Sequence, residues 1–306
     1  MINLSFGNQK SVGHFLNGWL DESVALVNRT ATERAYRSQV RLNIAPIIGE
    51  QRLTKLGAAD LHNLYVKLAA QGKAPATITQ THAVMHRALD HAVAMGVLPT
   101  NPAARLRPPC GPESHPNPLV HGEAARVVEA SASSRYGPLW RTFLGTGLRF
   151  SEAAGLQWSA IGEARLEVTQ QVVRHRGGWA FAEPKARRSR RGIPLPVSVV
   201  TALEGQRELL AGRPNQHDLV FPSKNGEPMW ESTVLRALQS LLARLGIEPH
   251  TIHDLRDTYA TTLSANGIDA VAIQDLLGHS SIQTTRDRYI GLVERHLADA
   301  VATLDL

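Results

Sequence analysis

Seven prolines fall between positions 99 and 118, at 99, 102, 108, 109, 112, 116 and 118. Proline lacks a backbone N–H and fixes φ, so neither a helix nor a central strand can run through such a stretch. The 306-residue chain is therefore expected to fold on either side of it. The layout read from the sequence is a helical domain over residues 1–107, a linker over 108–118 and a second domain over 119–306. A join of this kind lets two lobes close around a rod-like ligand.

Charge divides at the same place. Residues 1–110 carry 12 Lys+Arg against 6 Asp+Glu, whereas residues 111–306 carry 21 of each. The excess lies in the first third, which points to a polyanion-binding domain attached to something else. A basic surface kept for solubility is the alternative. The lone Cys110 excludes an internal disulfide and a cysteine-rich zinc module. The short polar opening, Met1 to Lys10, does not resemble a signal peptide. No apolar run approaches the roughly 20 residues needed to span a bilayer, and a cytoplasmic protein is expected.

Periodicity makes the first domain a four-helix bundle. Val12, Phe15, Leu16, Trp19, Leu20 and Val24 follow one apolar helix face. Thr30 and Glu33 form a capping-box pattern opening a helix with Tyr36 and Val40. A third helix is expected around Leu61, Leu64, Val66 and Leu68, and a fourth from about Thr77 through Met85 and Leu89, ended by Gly96. In the second domain, helices are expected over 122–130, 138–145 and 151–157. A β-rich insert over about 165–197 follows, turning at Gly177-Gly178, and helices resume from about Ser232. The fold class is mainly α with a small β-sheet insert.

Four segments carry the residues suited to chemistry. Arg149 and Glu152 share a helical face, so the carboxylate can orient the guanidinium. Gly145 and Gly147 superficially suggest a nucleotide loop, but no strand precedes them and the third glycine is missing; no Walker A sequence occurs either. Pro184 to Arg191 holds five cations and is expected at a hairpin turn. Its arginines read equally as a solvated turn, whereas Lys185 is the one group there able to give up a proton. His253 and Arg256, three apart, can meet one anion together, and the HExxH arrangement of zinc proteases is absent. Last come Leu277-Gly278-His279, placing an imidazole just past a helix end, and then Tyr289. Four other tyrosines occur (Tyr36, Tyr65, Tyr136, Tyr259), and composition does not choose among them.

In this order, Arg149, Lys185, His253, Arg256, His279 and Tyr289 resemble the active-site signature of the tyrosine recombinases, or phage-integrase-type site-specific recombinases. The likeness extends loosely over the chain, the first domain resembling the family's core-binding domain and the second its catalytic domain. It implies cleavage and rejoining of double-stranded DNA through a 3′-phosphotyrosine link to Tyr289. Arg149 and Arg256 would hold the non-bridging oxygens, with Glu152 in support. His253 and His279 would help deprotonate the phenol, and Lys185 would protonate the departing 5′-oxygen. No cofactor, metal or ATP is implied. The chemistry agrees: paired guanidiniums can substitute for a divalent cation, and the ester conserves the bond energy.

Three positions depart from the family pattern: Asp257 directly after Arg256, Gly291 two after Tyr289, and Phe150 after Arg149. They bear on rate or substrate preference. A C-terminal helix with Val293, Leu297, Val301 and Leu304 on one face either packs on its own lobe or docks on a neighbour. The resemblance implies a tetramer on DNA joined through that helix, with no membrane partner. About ten residues precede the first helix, which suits a Xer-like or simple integrase layout. A catalytically silent DNA-binding relative and a topoisomerase IB-like nicking-closing enzyme are the alternatives.

Overall fold

The computed structural model describes residues 11–24, 30–109, 116–120, 122–175, 177–184 and 189–278. They form two compact units that divide between Ser114 and His115. The chain is mainly α-helical with small antiparallel sheets, as the sequence implies.

In the first unit, α1 (Val12–Trp19) runs on into a π-helical turn over Leu20–Val24. Helix α2 (Thr30–Gln39) continues through a second π-helical turn, Val40–Ile44, into the short α3 (Ala45–Ile48). Helices α4 (Ala58–Ala70) and α5 (Pro75–Ala94) complete the bundle. Glu33 pairs with Arg37 at 2.8 Å, one turn further along α2. Helix α5 starts two residues before the expected Thr77, because Pro75 at its first position needs no hydrogen-bond partner there. On α4 the buried face is Leu61, Leu64, Tyr65 and Leu68, while Val66 is exposed. Val66 was expected on that face, but a step of about 100° per residue selects Tyr65 instead. The unit closes over a core that includes Phe15, Leu16, Ile44, Leu64 and Leu89.

The proline-rich stretch is divided between the units. Ala103 is fully buried in the first core. At the other end, Leu119 N donates to Thr258 Oγ1 at 2.9 Å, and Asn117 O lies 2.9 Å from His250 Nδ1.

The second unit begins with α6 (Glu123–Ala130), α7 (Gly137–Thr146) and α8 (Phe150–Ala154). Helix α8 ends at Gly155, short of the expected 157. The β insert is two separate two-stranded sheets, one nested in the other. Strands β2 (Gln171–His175) and β3 (Gly178–Ala182) form the inner hairpin, with Val172 opposite Phe181. Strands β1 (Arg165–Val168) and β4 (Arg191–Pro194) pair outside it, with Leu166 opposite Ile193. The cationic stretch 184–190 thus connects β3 of one sheet to β4 of the other, not the two strands of one hairpin.

Helix α9 (Val197–Leu209) follows, in a region where the sequence showed no clear helix. Val199, Leu203 and Gln206 form its narrow buried stripe. Helices α10 (Glu231–Arg244), α11 (Ile252–Ala265) and α12 (Ala270–Leu277) complete the described chain. Trp140, Phe143, Leu166, Ile193, Leu238 and Leu255 lie at the centre of the main core. No described helix is long and apolar enough to cross a membrane.

Helix α7 ends on Gly147, whose φ of +61° favours glycine. A Cβ there would stand 2.5 Å from Tyr259 Cδ1 and 2.9 Å from Leu277 Cδ2, so α7 approaches α11 and α12 too closely for any side chain. Gly246 has a similar φ of +64° but open space around it. Gly246→Ala should therefore cost only the left-handed backbone strain, about 1–2 kcal/mol. Gly147→Ala should cost roughly 1–3 kcal/mol more, because overpacking adds to strain. Urea unfolding of both variants checks this; equal losses would mean the helices yield to the extra methyl.

Candidate active site

Glu152 lies at the third position of α8, with Arg149 as the residue that caps the helix. The Glu152 side chain is only 3% exposed. A carboxylate withdrawn from water to this extent must find donors, or protonate. It finds four. Oε2 accepts from the Arg149 backbone N–H at 2.9 Å and from Arg191 Nη2 at 2.9 Å. Oε1 accepts from Arg149 Nη1 at 2.7 Å and from Arg191 Nη1 at 3.0 Å. Burial works against the charged form, but the hydrogen bonds and charge of Arg191, then the charges of Arg149 and Arg256, hold the carboxyl below its ordinary range.

The same arginines seize the end of α12. Arg191 Nε donates to Leu276 O at 2.6 Å, Arg256 Nη2 to Leu277 O at 2.6 Å, and Arg149 Nη2 to Gly278 O at 3.1 Å. A helix leaves its last carbonyls without partners and gathers partial negative charge there, so cations are favoured at that end. Here three consecutive carbonyls each receive a different guanidinium. Gly278 caps the helix in the left-handed conformation, and the chain then continues to His279.

Arg256 is 1% exposed on α11, and its Nη1 also donates to Gly147 O at 2.6 Å. It therefore joins the ends of α7 and α12. His253 stands one turn earlier on α11, whose start is fixed by Thr251 and Asp254: each backbone N–H donates to the other's side chain. Unlike Arg256, His253 is 47% exposed. Asp257, the departure after Arg256, is buried with Oδ1 3.9 Å from His253 Nε2. Phe150, a second departure, packs partly buried against the main core.

The structure thus brings Arg149, Glu152 and Arg256 together at one helix end, with His253 on the same helix as Arg256. Lys185, His279, Tyr289, Gly291 and the expected C-terminal helix lie outside the described residues.

Arg191 belongs to this constellation and was not singled out by the sequence, which treated the arginines beside Lys185 as one group. Its neighbour Arg190 is indeed exposed and pairs with Glu183. Arg191 is buried because it shares the inner face of β4 with Ile193. That signal was available: an arginine two residues before a core isoleucine in a strand must face the same way.

Comparison with known proteins places the chain in a family. The phage integrase family matches residues 122–296, more than half of the chain. The tyrosine recombinase XerC-like protein of Caldanaerobacter subterraneus subsp. tengcongensis is 27% identical, over 99% of this chain and 85% of that protein. The Tn1549 transposon integrase, solved in complex with transposon right-end DNA, superposes with a TM-score of 0.82 at 20% identity, covering 95% of this chain and 99% of that one. Lambda integrase, solved as a tetramer bound to a Holliday junction, gives a TM-score of 0.70 at 21% identity, covering 92% of this chain and 78% of that one. A mainly helical second unit, with three arginines drawn onto one helix end and this family match across it, makes the chain a member of the phage integrase family.

Proposed function

We propose that this chain cleaves and rejoins double-stranded DNA through a covalent 3′-phosphotyrosine link to Tyr289. Membership of the family makes it a site-specific DNA recombinase. The observation that carries the mechanism is the anchoring of Arg149 and Arg256 on neighbouring carbonyls of one helix end. Two guanidiniums fixed there can meet the two non-bridging oxygens of one phosphodiester. They favour the transition state, in which negative charge builds on those oxygens, and they need no reorganisation to do so.

In this reading the Tyr289 oxygen attacks phosphorus, and the bond from phosphorus to the 5′-oxygen breaks. His253 and His279 help remove the phenol proton, and Lys185 supplies a proton to the leaving 5′-oxygen. The 5′-hydroxyl of another strand then attacks the phosphotyrosine and releases the phenol. No ATP is consumed, because the ester retains the bond energy. The basic first unit would hold the duplex as a core-binding domain, from residue 1 to about 107. Four protomers would assemble on two duplexes, with the C-terminal helix joining neighbours; lambda integrase has been solved as a tetramer bound to a Holliday junction. A cytoplasmic site of action suits a DNA substrate.

Tyr289→Phe should abolish the covalent protein–DNA adduct and leave DNA affinity intact. Denaturing electrophoresis with duplexes selected for binding from a random pool is the measurement; an adduct in the phenylalanine variant would demand another nucleophile. Lys185→Ala should slow cleavage of an ordinary strand by roughly 10²–10⁴-fold. A strand with a 5′-thiol leaving group needs little protonation and should lose far less, so equal losses on both would remove the general-acid role. Affinity should also fall by roughly 10³-fold or more between about 50 and 200 mM salt, through counterion release. A flat titration would contradict a basic first unit gripping the backbone.

A further inference from the structure

We propose that Arg191 is a positioning residue for strand cleavage, holding Glu152 and the end of α12 so that Arg149 can present its charge to the scissile phosphate. The inference rests on the reading above, in which Arg149 meets that phosphate.

Consider Glu152 and Arg149 alone. Their oxygen and nitrogen are 2.7 Å apart, and a carboxylate that close largely cancels the guanidinium's attraction for a second anion. The carboxylate is needed to fix the direction of Arg149, yet by itself it would weaken what it directs. Arg191 removes that conflict. Its Nη1 and Nη2 bind both oxygens of Glu152 at 3.0 and 2.9 Å, so the carboxylate's charge is answered by a second guanidinium. With two bonds from Arg149 and two from Arg191, the carboxylate has its acceptor capacity filled. Among the described residues the Arg149 guanidinium spends two of its five N–H bonds, on Glu152 and on Gly278 O, which leaves others for a ligand.

The third donor of Arg191 gives it a second function. Its Nε–H bonds Leu276 O at 2.6 Å and ties α12 to β4. The carbonyls of Leu277 and Gly278, which anchor Arg256 and Arg149, follow in the same turn. Arg191 thus holds both the carboxylate and the helix end against which the two phosphate-directed arginines are set. Lysine keeps the charge but not the fork, because one ammonium cannot span two carboxylate oxygens and a carbonyl on a third side. Arg191 is buried with Nε, Nη1 and Nη2 all engaged on Leu276 O and Glu152, so its work is done within the protein.

The charged groups acting on Glu152 are Arg149 at the start of α8, Arg191 on β4 and Arg256 on α11. Tyr259 on α11 lies within the influence of Arg191 and Arg256, and burial pushes its phenol up against their opposing pull. Without Arg191, the burial of Glu152 is less opposed. The carboxyl then takes up a proton at higher pH and loses its hold on Arg149.

The test is single-turnover adduct formation with protein in excess, for the wild-type chain, Arg191→Ala and Arg191→Lys, from acid to neutral pH. DNA affinity and thermal unfolding are measured on the same samples. Arg191→Ala should form adduct about 100-fold more slowly, the scale of losing one directed donor. Its DNA affinity should stay within about threefold, since the loss falls on the transition state rather than on binding. Arg191→Lys should recover part of the rate, and the acid limb of the rate profile should move to higher pH in both variants. An unmoved acid limb, or rate and affinity falling together, would overturn the proposal. If Arg191→Ala does not fold, the lysine variant decides: a wild-type pH profile in that protein ends the inference. A wild-type chain that forms no adduct would instead overturn the functional reading beneath it.

Discussion

Glu152 places the strictest demand on this structure. A carboxylate left at 3% exposure without partners would cost several kcal/mol or lose its charge. Its partners are the residue capping its own helix and an arginine on a strand 39 residues later, and both arginines also bond the end of α12. Helix α8, strand β4 and α12 can all be in place only if these bonds form together. The fold around the site therefore has one arrangement that satisfies the charge, and slipping β4 by one residue would turn Arg191 to the opposite face.

That demand also explains how a weak element is held. Helix α12 is eight residues long, and isolated helices of that length are not stable in water. Its start is capped by Asp269, whose Oδ1 accepts from Val271 N and Ala272 N. Its finish is capped by three guanidiniums. Buried Ile273 and Leu277 fasten it to Tyr259 and Ala260 of α11. The carbonyls used in this way are groups that any helix end must satisfy, so the protein makes one set of bonds serve both stability and placement. The close approach of α7 at Gly147 adds a further fixed point, since Arg256 bonds Gly147 O and Leu277 O at once.

Much of this was legible in the sequence wherever a local rule applied. The apolar faces of α1 and α5, the helix start beside Arg149 and the pairing of Arg149 with Glu152 all follow from spacing within one turn. What stayed hidden depends on pairing across distance. Nothing within the stretch 184–191 says that its strands belong to different sheets, so a simple hairpin was the economical expectation. Arg190 and Arg191 are chemically identical; strand alternation sets Arg191 on the face of Ile193, and the pairing of β4 with β1 gives that strand its place. Helix α9 was hidden for another reason. Prolines at 194 and 196 and valines at 197, 199 and 200 give its beginning the composition of a strand. The core nevertheless holds it as a helix through Val199, Leu203 and Gln206, whose Nε2 donates to Val220 O.

Net charge proved a poor guide to where an anion can be received. Residues 111–306 balance 21 cations against 21 carboxylates, which on a uniform surface would give little attraction for phosphate. At the end of α12 the balance is local: Arg149, Arg191 and Arg256 surround Glu152. Two of these guanidiniums are almost fully buried and one is about a third exposed. The buried pair cannot reach far into solvent, but its field is less screened than that of surface charges. Arg149 then stands at the edge of a site whose positive charge is fixed behind it. A carboxylate inside a phosphate-binding site would ordinarily be a liability. Enclosed between two arginines, it instead sets their orientation while leaving the cluster net positive.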